Sequence, residues 1–218
     1  MKVVVSEFMD ENALKKFGDD MDIVYEPGLV DDRTGLLGSL TNADALIVRN
    51  RPRVNSEVLD GGPQLKVIGR LGVGLDNIDL AECTARGLEV CPATGANTLS
   101  VAEYVIATAM SLVRGAYNSN EVMISGDWPR GQLGKGGEIS GRTMGLFGFG
   151  GIARAVASRA RSLAMSIAAY DPYLAASDPA WNGVRNCSAD ELLKVADVLS
   201  LHVPLTSETA DMIDADAI

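Results

Sequence analysis

Cysteine and histidine, the residues that most often hold metal ions, are scarce in this sequence. Its 218 residues include one histidine and three cysteines, Cys83, Cys91 and Cys187, which are odd in number and far apart. No C-x-x-C pair or histidine–cysteine pair occurs, which excludes the common zinc sites and a disulfide framework. We therefore expect no metal site and predict reduced thiols in a cytoplasmic protein, because that compartment keeps cysteines reduced.

Positive charge and long apolar runs are also in short supply. The 19 lysines and arginines are outnumbered by 29 aspartates and glutamates, and the formal net charge is −10. Such a balance disfavours a nucleic-acid partner, since phosphate binding relies on clustered basic residues. No apolar run reaches the roughly 18 residues that a membrane span needs, and no signal-peptide pattern is visible. We expect neither nucleic acid nor a membrane as a partner, whereas a small anionic substrate needs only a local basic pocket.

Short apolar runs alternate with amphipathic stretches along the whole chain. Predicted strands about 20 residues apart, separated by helical patterns, indicate βαβ units and parallel sheets. Between two such series, residues 98–117 are apolar on nearly all faces and predict a long buried helix. The pattern therefore predicts an α/β protein with two Rossmann- or flavodoxin-like parallel-sheet domains. We place them at residues 1–97 and 98–218, the second being incomplete.

A glycine pattern of the form G-x-G-x-x-A occupies residues 148–153, between a predicted strand and a predicted helix. Gly148 permits a tight strand-to-helix turn, Gly150 lets the backbone approach a pyrophosphate, and Ala153 lets the helix pack closely on the strand. The N-terminus of a helix offers free N–H groups and a positive dipole end to phosphates. The pattern predicts a dinucleotide site.

An acidic residue, Asp171, ends the next predicted strand, 18 residues after Ala153. A carboxylate there accepts hydrogen bonds from the adenosine ribose hydroxyls and repels a 2′-phosphate, which favours NAD over NADP. The same aspartate is also compatible with a simple turn before Pro172. A methyltransferase would use a similar glycine turn and acidic residue, so these two features alone leave that class open.

Further blocks of sequence occur in a characteristic order. They span residues 48–51, 69–79, 92–103, 148–153, 170–172 and 202–206. Together they resemble the D-isomer-specific 2-hydroxyacid dehydrogenases, the family that includes phosphoglycerate dehydrogenase. Two stretches, 6–11 and 88–97, are most similar to sulfolactate-type members of that family.

The resemblance implies substrate-binding roles for four residues. The amides of Val73 and Gly74 would bind the substrate carboxylate, Arg51 would bind a second anionic group, and Asn97 would lie at the interdomain cleft near nicotinamide and substrate. The residues themselves leave simpler alternatives open. Gly74 also suits a plain tight turn, Arg51 a solvated loop, and Asn97 a helix cap.

The resemblance also implies an NAD site. It assigns to this site Val101, Gly148, Gly150, Gly151, Ile152, Asp171, His202, Val203, Pro204 and Thr209. His202 would line the adenine side of the cofactor instead of acting as the general base, with core packing as its alternative. Thr209 is equally compatible with a turn or cap residue.

The family's catalytic machinery comprises an Arg that binds the substrate carboxylate, a His that takes the hydroxyl proton and a Glu that orients the His. The resemblance places all three beyond residues 202–206, so we assign no catalytic residue within this sequence. Its end, at Ile218, resembles the first turn of a helix after Asp214. We therefore expect a C-terminally truncated chain that is inactive by itself.

Two functions follow from these features. The first is an NAD-dependent oxidoreductase that interconverts a 2-hydroxy acid and its 2-oxo acid; arginines 49, 51 and 53 suggest a second anionic group on the substrate. The alternative is a non-catalytic, NAD-sensing dimeric corepressor or scaffold of the same fold. A homodimer is expected in both cases, because residues 98–117 are apolar on too many faces for one domain to cover.

Overall fold

The computed structural model describes residues 1–215 and 217, which divide into two compact units, Met1–Ala96 and Asn97–Ile218. The helical turn expected after Asp214 runs into Asp216 and Ile218, which lie outside the described residues. Within the described part of the chain, no helix is both long enough and apolar enough to span a membrane.

The first unit is built on a five-stranded parallel sheet. Its strands are β1 (Lys2–Val5), β2 (Asp22–Tyr25), β3 (Ala45–Val48), β4 (Val67–Arg70) and β5 (Glu89–Pro92). They are ordered β2-β1-β3-β4-β5, the flavodoxin-like order, and every neighbouring pair is parallel. The connections contain α1 (Glu11–Leu14), α2 (Arg33–Leu40), α3 (Ser56–Gly61), α4 (Leu80–Ala85) and a 3₁₀ turn at Pro27–Val30. Buried side chains of β1 and β3 alternate between two core clusters, so that both faces of the sheet are covered.

The second unit is a four-stranded parallel sheet with helices. Its strands are β6 (Thr143–Phe147), β7 (Ser166–Tyr170), β8 (Arg185–Asn186) and β9 (Val198–Leu201). The order β8-β7-β6-β9 corresponds to the first four strands of the Rossmann order 3-2-1-4-5-6. Its helices are α5 (Thr98–Arg114), α6 (Asn120–Ile124), α7 (Arg130–Leu133), α8 (Gly151–Ser162) and α9 (Ala189–Val195), with 3₁₀ turns at Ala116–Asn118 and Pro179–Trp181. The predicted fold class, two parallel-sheet α/β domains, is confirmed.

Helix α5 differs from its prediction in length and in burial. It ends at Arg114 because Gly115 adopts a left-handed conformation, φ 69°, and donates its N–H to the Ser111 carbonyl. Only Ala102 and Ala109 are buried along the helix. Leu112 is 71% exposed, so the expectation of a fully buried helix is wrong for this unit.

Candidate functional site

The carboxyl ends of three strands meet at one edge of the second sheet. Phe147, the last residue of β6, is in register with Tyr170 of β7 and Leu201 of β9. Gly148, Asp171 and His202 follow these three residues directly, so the sheet brings the main cofactor candidates to one edge. Strand β6 is also where the strand order reverses direction, which is where open α/β sheets bind ligands. We call this edge, formed by residues 148–151, 171–173 and 202–209, the nucleotide edge.

Gly148 is required by the protein's own backbone. Its φ is 78°, in the left-handed region that side chains rarely adopt. A Cβ atom at this position would lie 2.7 Å from the carbonyl oxygen of His202, too close for any side chain. The Gly148 N–H donates to the Tyr170 carbonyl at 2.8 Å. Glycine here therefore lets the chain turn sharply from β6 into α8 at the point where the ends of β7 and β9 lie on either side.

Gly150 and Gly151 have no such internal reason to be glycine. A Cβ atom on either residue would meet no heavy atom within 4 Å. Gly150 is the N-cap of α8 and no side chain caps this helix, so its first N–H groups have no side-chain acceptor. An uncapped helix N-terminus behind bare backbone fits a pyrophosphate lying against it. Ile152, also assigned to the cofactor site, is partly buried and packs against the core.

Asp171 connects the two loops of the nucleotide edge. One carboxylate oxygen accepts the N–H of Phe149, within the glycine loop, at 2.8 Å. The other accepts the N–H of Tyr173 at 3.0 Å, which closes a turn around Pro172. Asp171 therefore forms the turn at Pro172 that the sequence left open as an alternative. Each carboxylate oxygen has more than one lone-pair site, so ribose hydroxyls could still donate to it.

Phe149 is a structural part of the glycine loop that sequence reasoning missed. It is buried and stacks on Trp181, with ring centroids 5.3 Å apart and an interplanar angle of 13°. Arg154 donates from Nε to the Phe149 carbonyl at 2.8 Å, and its guanidinium lies 5.8 Å from the phenyl centroid. An apolar residue between two glycines is the only signal in the sequence, and it does not identify these partners.

His202 is a partly buried, neutral imidazole and not an exposed base. Its Nε2 lies 3.0 Å from the Ser200 hydroxyl oxygen. Burial lowers the pKa of His202 from its ordinary value of 6.5. Val203 packs beside Gly148, since its Cγ1 would lie 3.0 Å from a Cβ on that glycine.

Thr209 closes the loop that follows β9. Its hydroxyl donates to the Pro204 carbonyl at 2.5 Å and accepts the Thr206 N–H at 2.8 Å. In the structure Thr209 thus stabilises a turn, which is the alternative that the sequence left open for it. Pro204 itself is exposed.

Asn97 stands at the N-cap position of α5, but its side chain makes no capping hydrogen bond. The helix-cap alternative for its side chain is therefore wrong. Only its backbone carbonyl serves the helix, by accepting the Val101 N–H at 3.0 Å. Val101 is partly buried in the first turn.

The glycine-rich loop after β4 in the first unit exposes both carboxylate-binding candidates. Val73 is 39% exposed, and Gly74 is exposed as well. The loop is fixed at its start, where Leu71 donates its N–H to the Val48 carbonyl at 2.9 Å and the Gly72 carbonyl accepts the Ala93 N–H at 3.0 Å. These contacts leave residues 73 and 74 at the surface of the unit.

Residues 49–53, which we call the arginine loop, follow β3. Its three arginines are exposed, while Pro52 is buried. Arg51 pairs with Asp31, and both side chains are more than half exposed. Within the described part of the chain, Arg49 and Arg53 form no salt bridge, so the loop keeps excess positive charge.

Cysteine and acidic residues do not form a metal site in the described residues, where no group of three or more His, Cys, Asp or Glu could hold an ion. Cys83 and Cys187 are buried and Cys91 is exposed, all three as free thiols. Burial raises the pKa of the Cys83 and Cys187 thiols, which keeps them protonated and unreactive near neutral pH.

Comparison with known proteins places this arrangement in a family. The model of the D-isomer specific 2-hydroxyacid dehydrogenase NAD binding domain matches residues 106–218. An (S)-sulfolactate dehydrogenase of Chromohalobacter salexigens is 49% identical over 217 residues, covering 99% of this chain and 70% of that protein. The chain belongs to the D-isomer specific 2-hydroxyacid dehydrogenases. The resemblance inferred from the sequence blocks is confirmed, and the methyltransferase alternative is wrong.

Other members of this family are more distant in sequence. The D-3-phosphoglycerate dehydrogenase of Mycobacterium leprae is 37% identical over 216 residues, which cover 99% of this chain and 40% of that protein. Among solved structures, the D-lactate dehydrogenase of Aquifex aeolicus with NAD and lactic acid has a TM-score of 0.82 at 29% identity, covering all of this chain and 65% of that one. An NAD-dependent formate dehydrogenase of Staphylococcus aureus, with NAD, has a TM-score of 0.83 at 28% identity, covering 100% of this chain and 69% of that one. The second unit therefore contains the family's NAD-binding domain, and NAD is the cofactor.

Proposed function

We propose that the protein transfers a hydride between NAD and a small 2-hydroxy or 2-oxo acid that carries a second anionic group. The NAD-binding domain supports the cofactor half of this proposal. The (S)-sulfolactate and D-3-phosphoglycerate dehydrogenases among its relatives are named for substrates with two anionic groups. This chain spans 70% and 40% of those two proteins, so its activity is a proposal.

The observation that carries the substrate class is the charge of the arginine loop. Within the described residues, Arg51 is the one arginine of the loop that has an acidic salt-bridge partner, Asp31. An arginine guanidinium binds sulfonate, phosphate or carboxylate through paired N–H donors, which a lactate-like substrate with one anionic group would not need. Arg51 would exchange its exposed Asp31 partner for the substrate at little cost, because an exposed ion pair contributes only about 0–1 kcal/mol.

The two domains predicted from the sequence then have separate tasks. Residues 1–97 would bind substrate, with the amides of Val73 and Gly74 donating to its carboxylate. Residues 98–218 would bind the cofactor, with the α8 N-terminus at the pyrophosphate, Asp171 at the ribose and residues 202–204 beside the adenine. Asn97 would serve near the nicotinamide. Bound NAD supplies the hydride acceptor. His202 is partly buried beside Ser200, so we assign it to the cofactor wall and not to proton transfer.

The exposed apolar side chains of the second unit support a homodimer. Tyr104 and Leu112 of α5, Ile124 of α6 and Trp128 in the following loop are each at least 69% exposed. Large apolar side chains exposed near one another mark interaction surfaces in soluble proteins. We propose that a second copy of the chain covers them, and that the protein acts in the cytoplasm, where its three thiols would stay reduced.

The test of the proposed function is a steady-state assay of the full-length protein with three hydroxy acids. NAD and (S)-sulfolactate or 3-phosphoglycerate should yield NADH with a higher kcat/KM than NAD and lactate, which lacks the second anionic group. A preference for lactate would contradict the proposed substrate class. NADH binding without turnover of any hydroxy acid would favour the non-catalytic alternative.

A further inference from the structure

Glu7 is a buried carboxylate beneath the arginine loop. It follows β1 closely and is 7% exposed. One of its oxygens, Oε2, accepts the backbone N–H groups of Arg49 at 3.0 Å, Asn50 at 3.0 Å and Arg51 at 3.3 Å. Three successive N–H groups that converge on one oxygen form an anion-binding nest. In this chain the anion in the nest is one of its own side chains.

This arrangement determines how the loop can bind a substrate. Because Glu7 occupies the three amides, an external anion at the loop is left with the arginine side chains. The far end of the loop is also fixed, since Asn77 donates from Nδ2 to the Pro52 carbonyl at 2.9 Å and Val54 is 1% exposed. The arginines therefore extend from a backbone held at both ends.

Burying a carboxylate is unfavourable unless hydrogen bonds compensate for the lost hydration. An apolar residue at position 7 would avoid that cost but would leave the N–H groups of residues 49–51 without an acceptor. The carboxylate thus suits this position because of the loop above it. Its charge also offsets part of the repulsion among the loop's arginines.

We propose that Glu7 is a positioning residue for recognition of the substrate's second anionic group. It fixes the backbone of residues 49–51, so that the arginines are already arranged when the anion binds. Binding then does not include the entropy cost of ordering the loop. This inference rests on the proposed function and adds to it a residue that acts through the loop. It places the effect of Glu7 on substrate affinity and not on NAD binding, which belongs to the other unit.

The experiment, in the full-length protein, compares Glu7→Ala and Glu7→Gln with Glu11→Gln, a control at an exposed glutamate in α1. For Glu7→Ala we expect the KM for (S)-sulfolactate to rise about 10- to 100-fold, with kcat changed less than about threefold. The KM for lactate and the Kd for NADH should stay near wild type. Amide hydrogen exchange at residues 49–51 should become faster. Added formate should restore part of the affinity, because its carboxylate can refill the nest.

Glu7→Gln keeps the side-chain volume and tests the same point if Glu7→Ala does not fold. It should raise the KM for (S)-sulfolactate less than Glu7→Ala does, and formate should not rescue it, since the nest stays filled. The proposal is overturned if the KM changes no more than in Glu11→Gln, or if kcat and NADH affinity fall together with substrate affinity. If the wild-type protein neither binds nor turns over a hydroxy acid, the proposed function fails and the substrate role of Glu7 fails with it. Amide exchange in the variants then still reports whether Glu7 holds the loop.

Discussion

At the scale of single residues, the glycines of the 148–151 turn separate folding from binding. Gly148 is confined by its left-handed φ of 78° and by the carbonyl of His202, whereas open space surrounds the Cβ position of Gly150. Gly148→Ala should lower the free energy of unfolding by at least about 2 kcal/mol, through backbone strain and a backbone clash. Gly150→Ala should change stability by less than about 1 kcal/mol but weaken NADH binding, because its methyl group would occupy the proposed position of the pyrophosphate. Urea unfolding and NADH fluorescence titration of both variants measure this; equal loss of stability in the two would contradict it.

Asp171 provides a second prediction at this scale, on cofactor choice. Asp171→Ala removes the proposed ribose acceptor and the charge that would repel a 2′-phosphate. NADH affinity should fall about 10-fold or more. A factor of ten in affinity corresponds to about 1.4 kcal/mol, which is within the range of a lost charge-assisted hydrogen bond. NADPH affinity should fall less than NADH affinity, so the variant should prefer NADH over NADPH by a smaller factor than the wild-type protein does. Parallel titrations with both cofactors test this, and an unchanged ratio of the two Kd values would remove Asp171 from the ribose site.

His202 makes the folded protein sensitive to acid in a defined direction. Its pKa is lowered by burial, so the unfolded chain takes up the proton first as pH falls below 6.5. This histidine therefore contributes a loss of stability on acidification and none above neutral pH. His202→Gln should make the free energy of unfolding fall less than in wild type between about pH 7.5 and about pH 5.5. Parallel slopes for the two proteins would contradict a lowered pKa of His202 in the folded protein.

At the scale of elements, the glycine loop depends on a stack that the sequence did not reveal. Trp181 lies parallel to Phe149 and donates from Nε1 to the Ala175 carbonyl at 3.0 Å. Trp181→Ala should cost about 3 kcal/mol of stability and weaken NADH binding, because the loop loses its packing partner. Trp181→Phe keeps an aromatic ring and should recover most of both. Thermal unfolding and NADH titration distinguish these outcomes, and normal NADH binding by Trp181→Ala would contradict a supporting role.

The elements themselves were largely predictable, and their long-range contacts were not. Short apolar runs predict strands over 45–48, 166–170 and 198–201, and an amphipathic stretch predicts a helix over 33–40. These are the observed bounds of β3, β7, β9 and α2. Helix α5 was predicted too long because an apolar pattern continues past Gly115, which ends the helix through its backbone conformation. The nest of Glu7 was missed because its amides lie 42 to 44 residues away in sequence. Local patterns contain no information about such a pairing, whereas the three-strand edge that collects Gly148, Asp171 and His202 follows from parallel topology.

At the scale of the whole molecule, the exposed apolar side chains of α5 and α6 lead to a prediction about assembly. Ile124 is 85% exposed, and Leu112 is 71% exposed. If a second copy covers these side chains, Leu112→Lys combined with Ile124→Lys should convert a dimer into a monomer, because both charges would be buried unpaired. Light scattering of wild type and variant gives the masses directly. A monomeric wild type would contradict the proposed dimer, and a variant that remains dimeric would place the interface elsewhere.

Under the proposed function, the full-length protein uses NAD to oxidise a hydroxy acid with a second anionic group. NADH formation by the purified full-length protein with NAD and (S)-sulfolactate, beside the same reaction of its Asp171→Ala variant, measures this activity. We expect NADH formation by the wild-type full-length protein and a clearly raised KM for NAD in its Asp171→Ala variant. Binding of NADH by the wild-type protein, without NADH formation from (S)-sulfolactate, 3-phosphoglycerate or lactate, would contradict it.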